Sequence, residues 1–267
     1  MFVAAIPQLV GLFPCSLSCR RPRLKPQVVT APPLDFATLS FPMLNPTRED
    51  IASDLIRLHL SEALGVLGVS KKQQRLVECN KVLLSSPTLP ALLRFTGVLF
   101  DALSTPTLSP AAWRRLAVGD ALFGLLMASD RIPMYRLSGN TKLPRPDGET
   151  PTMKSRWGKE ISTALATVDE FIVDLRSGVY QQLGRVSEAA TLRVEKRQPD
   201  GRLKVVSHFN KHYKGVAARI LAEHDGDITS ARDIADVLRN AGMEIQLDTG
   251  SSELKLIVES PATSPMT

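Results

Sequence analysis

The stretch Ser207-His208-Phe209-Asn210-Lys211-His212-Tyr213-Lys214-Gly215 carries the densest set of groups able to do chemistry. It follows a strand-like segment and enters a helical one. Main-chain N–H groups at a helix start therefore face whatever docks there, an arrangement suited to phosphate. At 100° per residue Lys211, Lys214 and Arg219 fall on an arc of about 140° of that helix. His208 and His212 titrate near neutrality and can donate to an anion or exchange protons with it. The plainer alternative is that His208 caps the turn and His212 packs at the surface. A second cluster, Asp174-Leu175-Arg176-Ser177-Gly178-Val179-Tyr180, closes a short apolar run, and functional groups gather at the carboxyl ends of such strands. It lacks the G-x-S-x-G elbow that a serine nucleophile requires. A third cluster, Asp130 to Leu137, holds Arg131, Tyr135 and Arg136, with Asp130 placed to neutralise Arg131 or Arg136. Cys15-x-x-x-Cys19 has no second ligand pair at zinc spacing, and the four histidines lie far downstream. No metal and no cofactor are expected, and no catalytic residue is assigned.

The charge around these clusters is uneven. The 267 residues carry a net +6, yet from Arg114 to Arg219 there are 19 basic against 11 acidic residues, a surplus of eight. Such a field attracts polyanions and supplies sequence-independent affinity for phosphates, although a solvated basic surface has the same composition. No apolar run reaches the roughly 18–20 residues of a membrane span. Three cysteines do not make a disulfide framework, so a reducing, cytoplasmic setting is expected. Met1 to Phe13 is apolar, but Arg20, Arg21, Arg23 and Lys25 come after it rather than before, the reverse of a signal peptide.

The elements that must position these groups fall into two textures. Gln8–Phe13 reads as a buried strand, and the prolines of Arg20–Leu34 make that segment extended surface. Thr47 with Asp50 three residues on predicts a helix start, followed by Ile51, Leu55, Leu58, Leu60 and Leu64. Gly65 and Gly68 break the run, and a second helix opens at Ser70-Lys71-Lys72-Gln73. Gly65-x-x-Gly68 between helices hints at a hairpin that grips a DNA backbone, although its glycine spacing departs from the usual two-residue separation. A third helix begins at Thr88-Leu89-Pro90, with Leu92, Leu93, Phe95, Val98 and Leu99 as its buried stripe. A fourth follows Ser109-Pro110 and carries Trp113, Leu116 and Val118 toward Phe123 and Leu126. Beyond it Phe171–Leu175 reads as a buried strand, and Thr191–Lys196 with Leu203–Ser207 as a hairpin turning at Pro199-Asp200-Gly201. Lys211–Glu223 and Ser230–Asn240 are helical, and Met243–Leu247 and Leu254–Val258 are strands. The fold class expected is α+β: a single compact domain, a mixed β-sheet with a largely helical first half and a basic cleft. Residues 1–33 form a divergent N-terminal strand and Pro/Arg-rich loop, 34–259 the α+β domain, and 260–267 a disordered tail.

Five segments taken together resemble the YaaA peroxide-stress protein family. Ala121-Leu122-Phe123-Gly124-Leu125-Leu126 with Asp130 and Pro133-Met134-Tyr135-Arg136-Leu137 is similar to its most distinctive signature. Asp174–Tyr180, Val206–Lys211 with Lys214-Gly215, and Phe95-x-Gly97-x-x-Phe100 resemble further segments, and Trp157 falls where the family has a tryptophan. Order and spacing agree from about Leu34 to Val258. The resemblance implies a compact α+β protein with a basic cleft and a bacterial, cytoplasmic role in limiting peroxide damage linked to free iron. It also implies DNA binding through a helix-hairpin-helix element and that cleft, and it carries Arg136, Arg176, Lys211 and Lys214 over as matching cations. Three departures stand out. The N-terminal loop reads Phe13-Pro14-Cys15-Ser16-Leu17-Ser18-Cys19 with no lysine until Lys25; Phe100 lacks a tyrosine hydroxyl; and Met127-Ala128 replaces an Arg-Pro pair.

Two functional readings from different classes follow. The first is a non-enzymatic DNA-binding protein of the peroxide-stress response, with Arg131, Arg136, Arg176, Ser177, His208, Lys211 and Lys214 about the phosphates and Tyr135 or Tyr180 stacking on an unpaired base. The second is an enzyme acting on a nucleotide or phosphorylated small molecule, with Lys211 and His208 moving protons and Ser177 in contact. An iron-handling or scaffold role ranks last. DNA, and a nucleotide as the alternative, are the expected partners, with no membrane; oligomeric state is not legible.

Overall fold

A computed structural model describes residues 9–12, 31–205 and 210–259, the first four as main chain only. The expectations for Cys15, Cys19, most of the Pro/Arg-rich segment, His208 and the Ser260–Thr267 tail lie outside the described residues. β1 (Leu9–Leu12) is followed by α1 (Asn45–Arg57), α2 (Leu60–Val66) and α3 (Gln74–Lys81). Then come the two-residue β2 (Leu89–Pro90) and the short helices α4 (Ala91–Arg94), α5 (Val98–Leu103) and α6 (Pro110–Arg114). α1 begins at Asn45, ahead of Thr47, because Pro46 sits in the first turn, where a missing N–H leaves no bond unmade. The single helix expected from Thr88 to Leu99 is two pieces separated at Gly97, and Leu93 and Val98 are 43% and 46% exposed rather than part of a buried stripe. Ser109 caps α6 as expected, its hydroxyl accepting from the Ala112 N–H.

The larger correction follows directly. Leu116 to Leu126 is not a helix. β3 (Leu116–Asp120) and β4 (Gly124–Met127) form an antiparallel hairpin, and every residue of both strands is buried. A segment buried on both faces has no apolar period, so helix and strand look alike in the sequence. The turn decides between them. The Asp120 carboxylate accepts from the Leu122 and Phe123 N–H groups, each at 2.8 Å, and Gly124 holds φ +69°, where a β-carbon would also strike the Trp157 ring.

β5 (Arg131–Ile132) pairs with β2 in a separate small sheet. Then follow α7 (Met153–Trp157), α8 (Glu160–Leu165), β6 (Ile172–Asp174) and α9 (Gly178–Gln181). The hairpin of β7 (Ala190–Arg197) and β8 (Leu203–Val205) is as expected, as are α10 (Asn210–Glu223), α11 (Ala231–Asn240), β9 (Glu244–Leu247) and β10 (Glu253–Val258). The main sheet runs β4-β3-β1-β6-β7-β10-β9, with β8 paired to β7. Its five inner strands are mutually parallel, and β4, β8 and β9 are antiparallel to their partners. The architecture is therefore a mixed α+β sheet with a helical first half, as read. α10 lies close against α5: a β-carbon at Gly215 would strike the Leu99 carbonyl oxygen and the Ala102 methyl.

Candidate functional site at the carboxyl ends of the central strands

β1 sits inside the sheet, with β3 on one side and β6 on the other. The chain leaves β1 for β3 and later returns past it to β6. In open parallel sheets such a reversal leaves a crevice outside the carboxyl ends of the strands, where ligands bind. Here those ends are Asp120 on β3 and Asp174 on β6, both buried.

Asp120 is the hub of one side. Burial pushes its carboxyl up, against the opposing pull of the Tyr135 hydroxyl and the Phe123 and Leu122 N–H groups. Tyr135 is itself buried, edge-on to Phe123 at 5.3 Å, with its hydroxyl facing Asp120 but without a well-formed hydrogen bond. Burial and the Asp120 charge hold that phenol well above its ordinary range. Tyr180 packs on Gly139, accepts from its N–H at 3.4 Å, and is pushed up to about 12, chiefly by burial and then by Asp120. Arg136 lies near enough to Tyr180 to oppose that shift. Its main chain is clamped in both directions by the Asn80 side chain, and its Nε is buried without a hydrogen-bond partner among the described residues.

The other side is an ion pair. Arg176 grips Asp174 in two places, Nε to Oδ1 at 2.9 Å and a terminal nitrogen to Oδ2 at 3.0 Å, and the same nitrogen donates to the Gly184 carbonyl at 2.6 Å. Its side chain crosses Gly119 of β3, where a β-carbon would strike it, and so ties the ends of β3 and β6 together. Lys214, on the first turns of α10, is buried beside this pair and donates to the Leu175 carbonyl at 3.3 Å. Burial lowers its ammonium to about 8, with Asp174 and then Glu253 acting against that.

A group that sequence reasoning passed over holds the frame. Arg48 is completely buried. Its guanidinium donates to the Phe123 and Leu125 carbonyls at the β3–β4 turn, to the Ser40 carbonyl and to Asn45 Oδ1. Burial lowers it to about 10, while Asp130 and Asp120 favour its charge. The signal was present: Arg48 stands three, four and seven residues before Ile51, Ala52 and Leu55, on the apolar stripe of α1. Asp120 was missed too, although an Asp four residues before a Gly within an apolar run marks a side-chain-closed turn.

Residues 25–246 match the family described as peroxide stress protein YaaA. The chain belongs to that family. A UPF0246 protein of Corynebacterium efficiens is 55% identical over 226 residues, covering 85% of this chain and 92% of that protein. A UPF0246 protein of Corynebacterium glutamicum is 51% identical over the same shares, and one of Streptomyces coelicolor is 34% identical over 81% of this chain and 86% of its own length. The YaaA-type segments converge in space. Ala121–Leu126 makes the β3–β4 turn, Tyr135 and Arg136 face Asp120 and Tyr180, Asp174–Tyr180 forms the end of β6, and Lys214-Gly215 seats α10 on α5. Trp157 closes the group, its indole N–H donating to the Ala121 carbonyl at 2.9 Å.

Within this frame, several expectations are corrected. Arg176 is locked to its own neighbouring carboxylate, so it is not free to hold a phosphate. Tyr135 is too buried to stack on a base. Arg131 is tied to Thr88 through its hydroxyl and carbonyl and does not join the cluster. Asp130 neutralises neither Arg131 nor Arg136: it accepts from Ser40 and from the Met127 N–H and faces Arg48. Ser177 is half-buried ahead of α9, without a side-chain cap bond. Lys211 and His212 are exposed at the start of α10. At the opposite, amino end of β6 and β7 lies a cleft of about 750 Å³ bearing Asp169, Glu170, Glu188 and Asp227 against Arg185, a charge balance unsuited to phosphate.

The helical break at Gly65-x-x-Gly68 is a helix–turn–helix. α2 ends with Gly68 at φ +61°, the Val69 N–H returns to the Leu64 carbonyl, and a one-turn helix at Lys71–Gln73 leads into α3. A β-carbon at Gly65 or Gly68 would meet nothing within 4 Å, so the turn is open on its outer side. Lys71 and Lys72 directly after it are exposed, and neither forms an ion pair among the described residues.

Proposed function

We propose that this member of the YaaA family is a cytoplasmic peroxide-stress protein that binds DNA through exposed cations, limiting damage linked to free iron. The observation that carries the reading is the open turn between α2 and α3, followed at once by Lys71 and Lys72, which form no ion pair among the described residues. Lysines presented by such a turn suit a phosphodiester, which any sequence offers. Lys211 and the half-buried Arg136 add cations from other elements.

The test is fluorescence anisotropy of the full chain with duplex and bubble DNA from low to moderate salt. Log affinity is expected to fall linearly with log salt, and Lys71→Ala/Lys72→Ala to flatten that slope by about two units. Affinity that does not respond to salt overturns phosphate neutralisation as the mechanism.

Lys214 favours a second, enzymatic reading. A buried amine brought to about 8 at the carboxyl end of a parallel strand is suited to proton transfer on a nucleotide or other phosphorylated small molecule. Retained duplex affinity with lost nucleotide binding in Lys211→Ala/Lys214→Ala would support it over the first.

A further inference from the structure

Two lysines stand directly opposite each other in the β7–β8 ladder, Lys196 against Lys204. Directly paired residues of an antiparallel ladder project to the same face with β-carbons about 5 Å apart, and like charges so placed destabilise the pair. Nothing in register relieves them. On its other side Lys196 pairs with Val258 of β10. Three carboxylates of this region are already engaged on the opposite face or at the turn: Glu195 with Arg193, Glu244 with Arg197, and Asp200 with Arg202. Neither Lys196 nor Lys204 forms an ion pair among the described residues, and Lys204 is exposed.

The position matters as much as the charge. β8 pairs with β7 at Glu195–Arg197, beyond the point where β6 pairs at Ala190 and Thr191. β8 therefore continues the sheet past the carboxyl end of β6, at the same edge as Asp174 and Arg176. We infer that the Lys196–Lys204 pair is a phosphate-contact site for the nucleic-acid backbone, a bound phosphate supplying the negative charge that the ladder itself omits. This rests on the DNA-binding reading above and adds to it a surface that neither the open turn nor α10 contains. Lysines on an edge strand also discourage edge-to-edge pairing. That accounts for Lys204 on β8 but not for Lys196, whose strand is paired on both sides.

The experiment uses the full chain and three variants: Lys204→Thr, Lys196→Thr/Lys204→Thr, and Lys154→Thr, which removes an exposed lysine of α7. Each is measured for DNA affinity across a salt series and for thermal unfolding without DNA. Removing Lys204 is expected to flatten the log–log salt slope by about 0.9 on duplex, and the double variant by about twice that, while Lys154→Thr leaves it unchanged. The DNA-free melting temperature of Lys204→Thr is expected to equal or exceed that of the unaltered chain. An unchanged slope with a normal melting temperature overturns the assignment while leaving DNA binding intact. So does an unchanged slope with new aggregation, which makes Lys204 an edge guard. Binding that depends on these lysines for vesicles of anionic phospholipid, but not for DNA, also overturns it. If the unaltered chain binds no DNA at any salt, the functional proposal itself has failed.

Discussion

The buried carboxyl ends of β3 and β6 and the more exposed lysines of the α2–α3 turn and of the β7–β8 hairpin are built from basic residue types alike, but these do opposite work. At the strand ends two guanidinium groups are held by internal acceptors: Arg48 has four, and Arg176 has a carboxylate and a carbonyl. Lys71, Lys72, Lys196 and Lys204 form no ion pair among the described residues. A buried cation is tolerable only when its donors are met inside the protein. A cation meant for a ligand must keep its donors open. Counting lysines and arginines cannot separate the two roles; counting their acceptors does.

The sharpest way to break this contrast is at Arg48. Arg48→Met strips partners from the Phe123, Leu125 and Ser40 carbonyls and removes the cation that Asp120 and Asp130 favour. A loss of about 4–5 kcal/mol in urea unfolding is expected, and a loss under 1 kcal/mol would remove Arg48 from the frame. Next is Arg176→Met, which abandons a buried Asp174 and should cost about 3–4 kcal/mol. Because Arg176 is committed internally, the salt slope for DNA per folded molecule should not change; a slope flattened by about one unit would return it to the phosphate-binding set.

The smallest effect is a pH dependence. The Lys214 ammonium is lowered from 10.5 to about 8, so between those values the unfolded chain holds a proton that the folded chain has released. Stability from this group therefore rises as pH climbs from about 8 toward 10.5, and its burial cost is fully present below 8. The melting temperature of the unaltered chain, relative to Lys214→Met, should climb across pH 8 to 10 by the equivalent of roughly 1–3 kcal/mol. A constant difference across that range would mean Lys214 keeps its ordinary affinity for the proton.

How much of this could be read in the residues depends on where the pattern was one-sided. α11, with Ile234, Ala235 and Leu238 buried and its other face wet, was legible, as was the hairpin announced by Pro199-Asp200-Gly201. The Asp174–Tyr180 cluster was found because a strand end is punctuated. The β3–β4 hairpin is hidden because both faces are buried; of the stripe Leu92, Leu93, Phe95, Val98 and Leu99, Leu93 and Val98 lie outside because an apolar residue is not obliged to be inside. The acceptors of Arg176 lie two residues and eight residues along the chain, yet no local rule says that a guanidinium will fold back on them. Carried as a resemblance, the family segments gave the right membership, but they could not say which cations were structural.

The indole of Trp157 gives the β3–β4 turn an optical reporter of its own. The chain has two tryptophans; Trp157 is wholly enclosed and seated on Gly124, whereas Trp113 is only partly covered. Opening that turn would bring water to one indole without unfolding the sheet, so a red-shifted emission that precedes loss of circular dichroism would register motion at the floor of the site. With Trp113 replaced by Phe, the remaining signal would follow that floor alone.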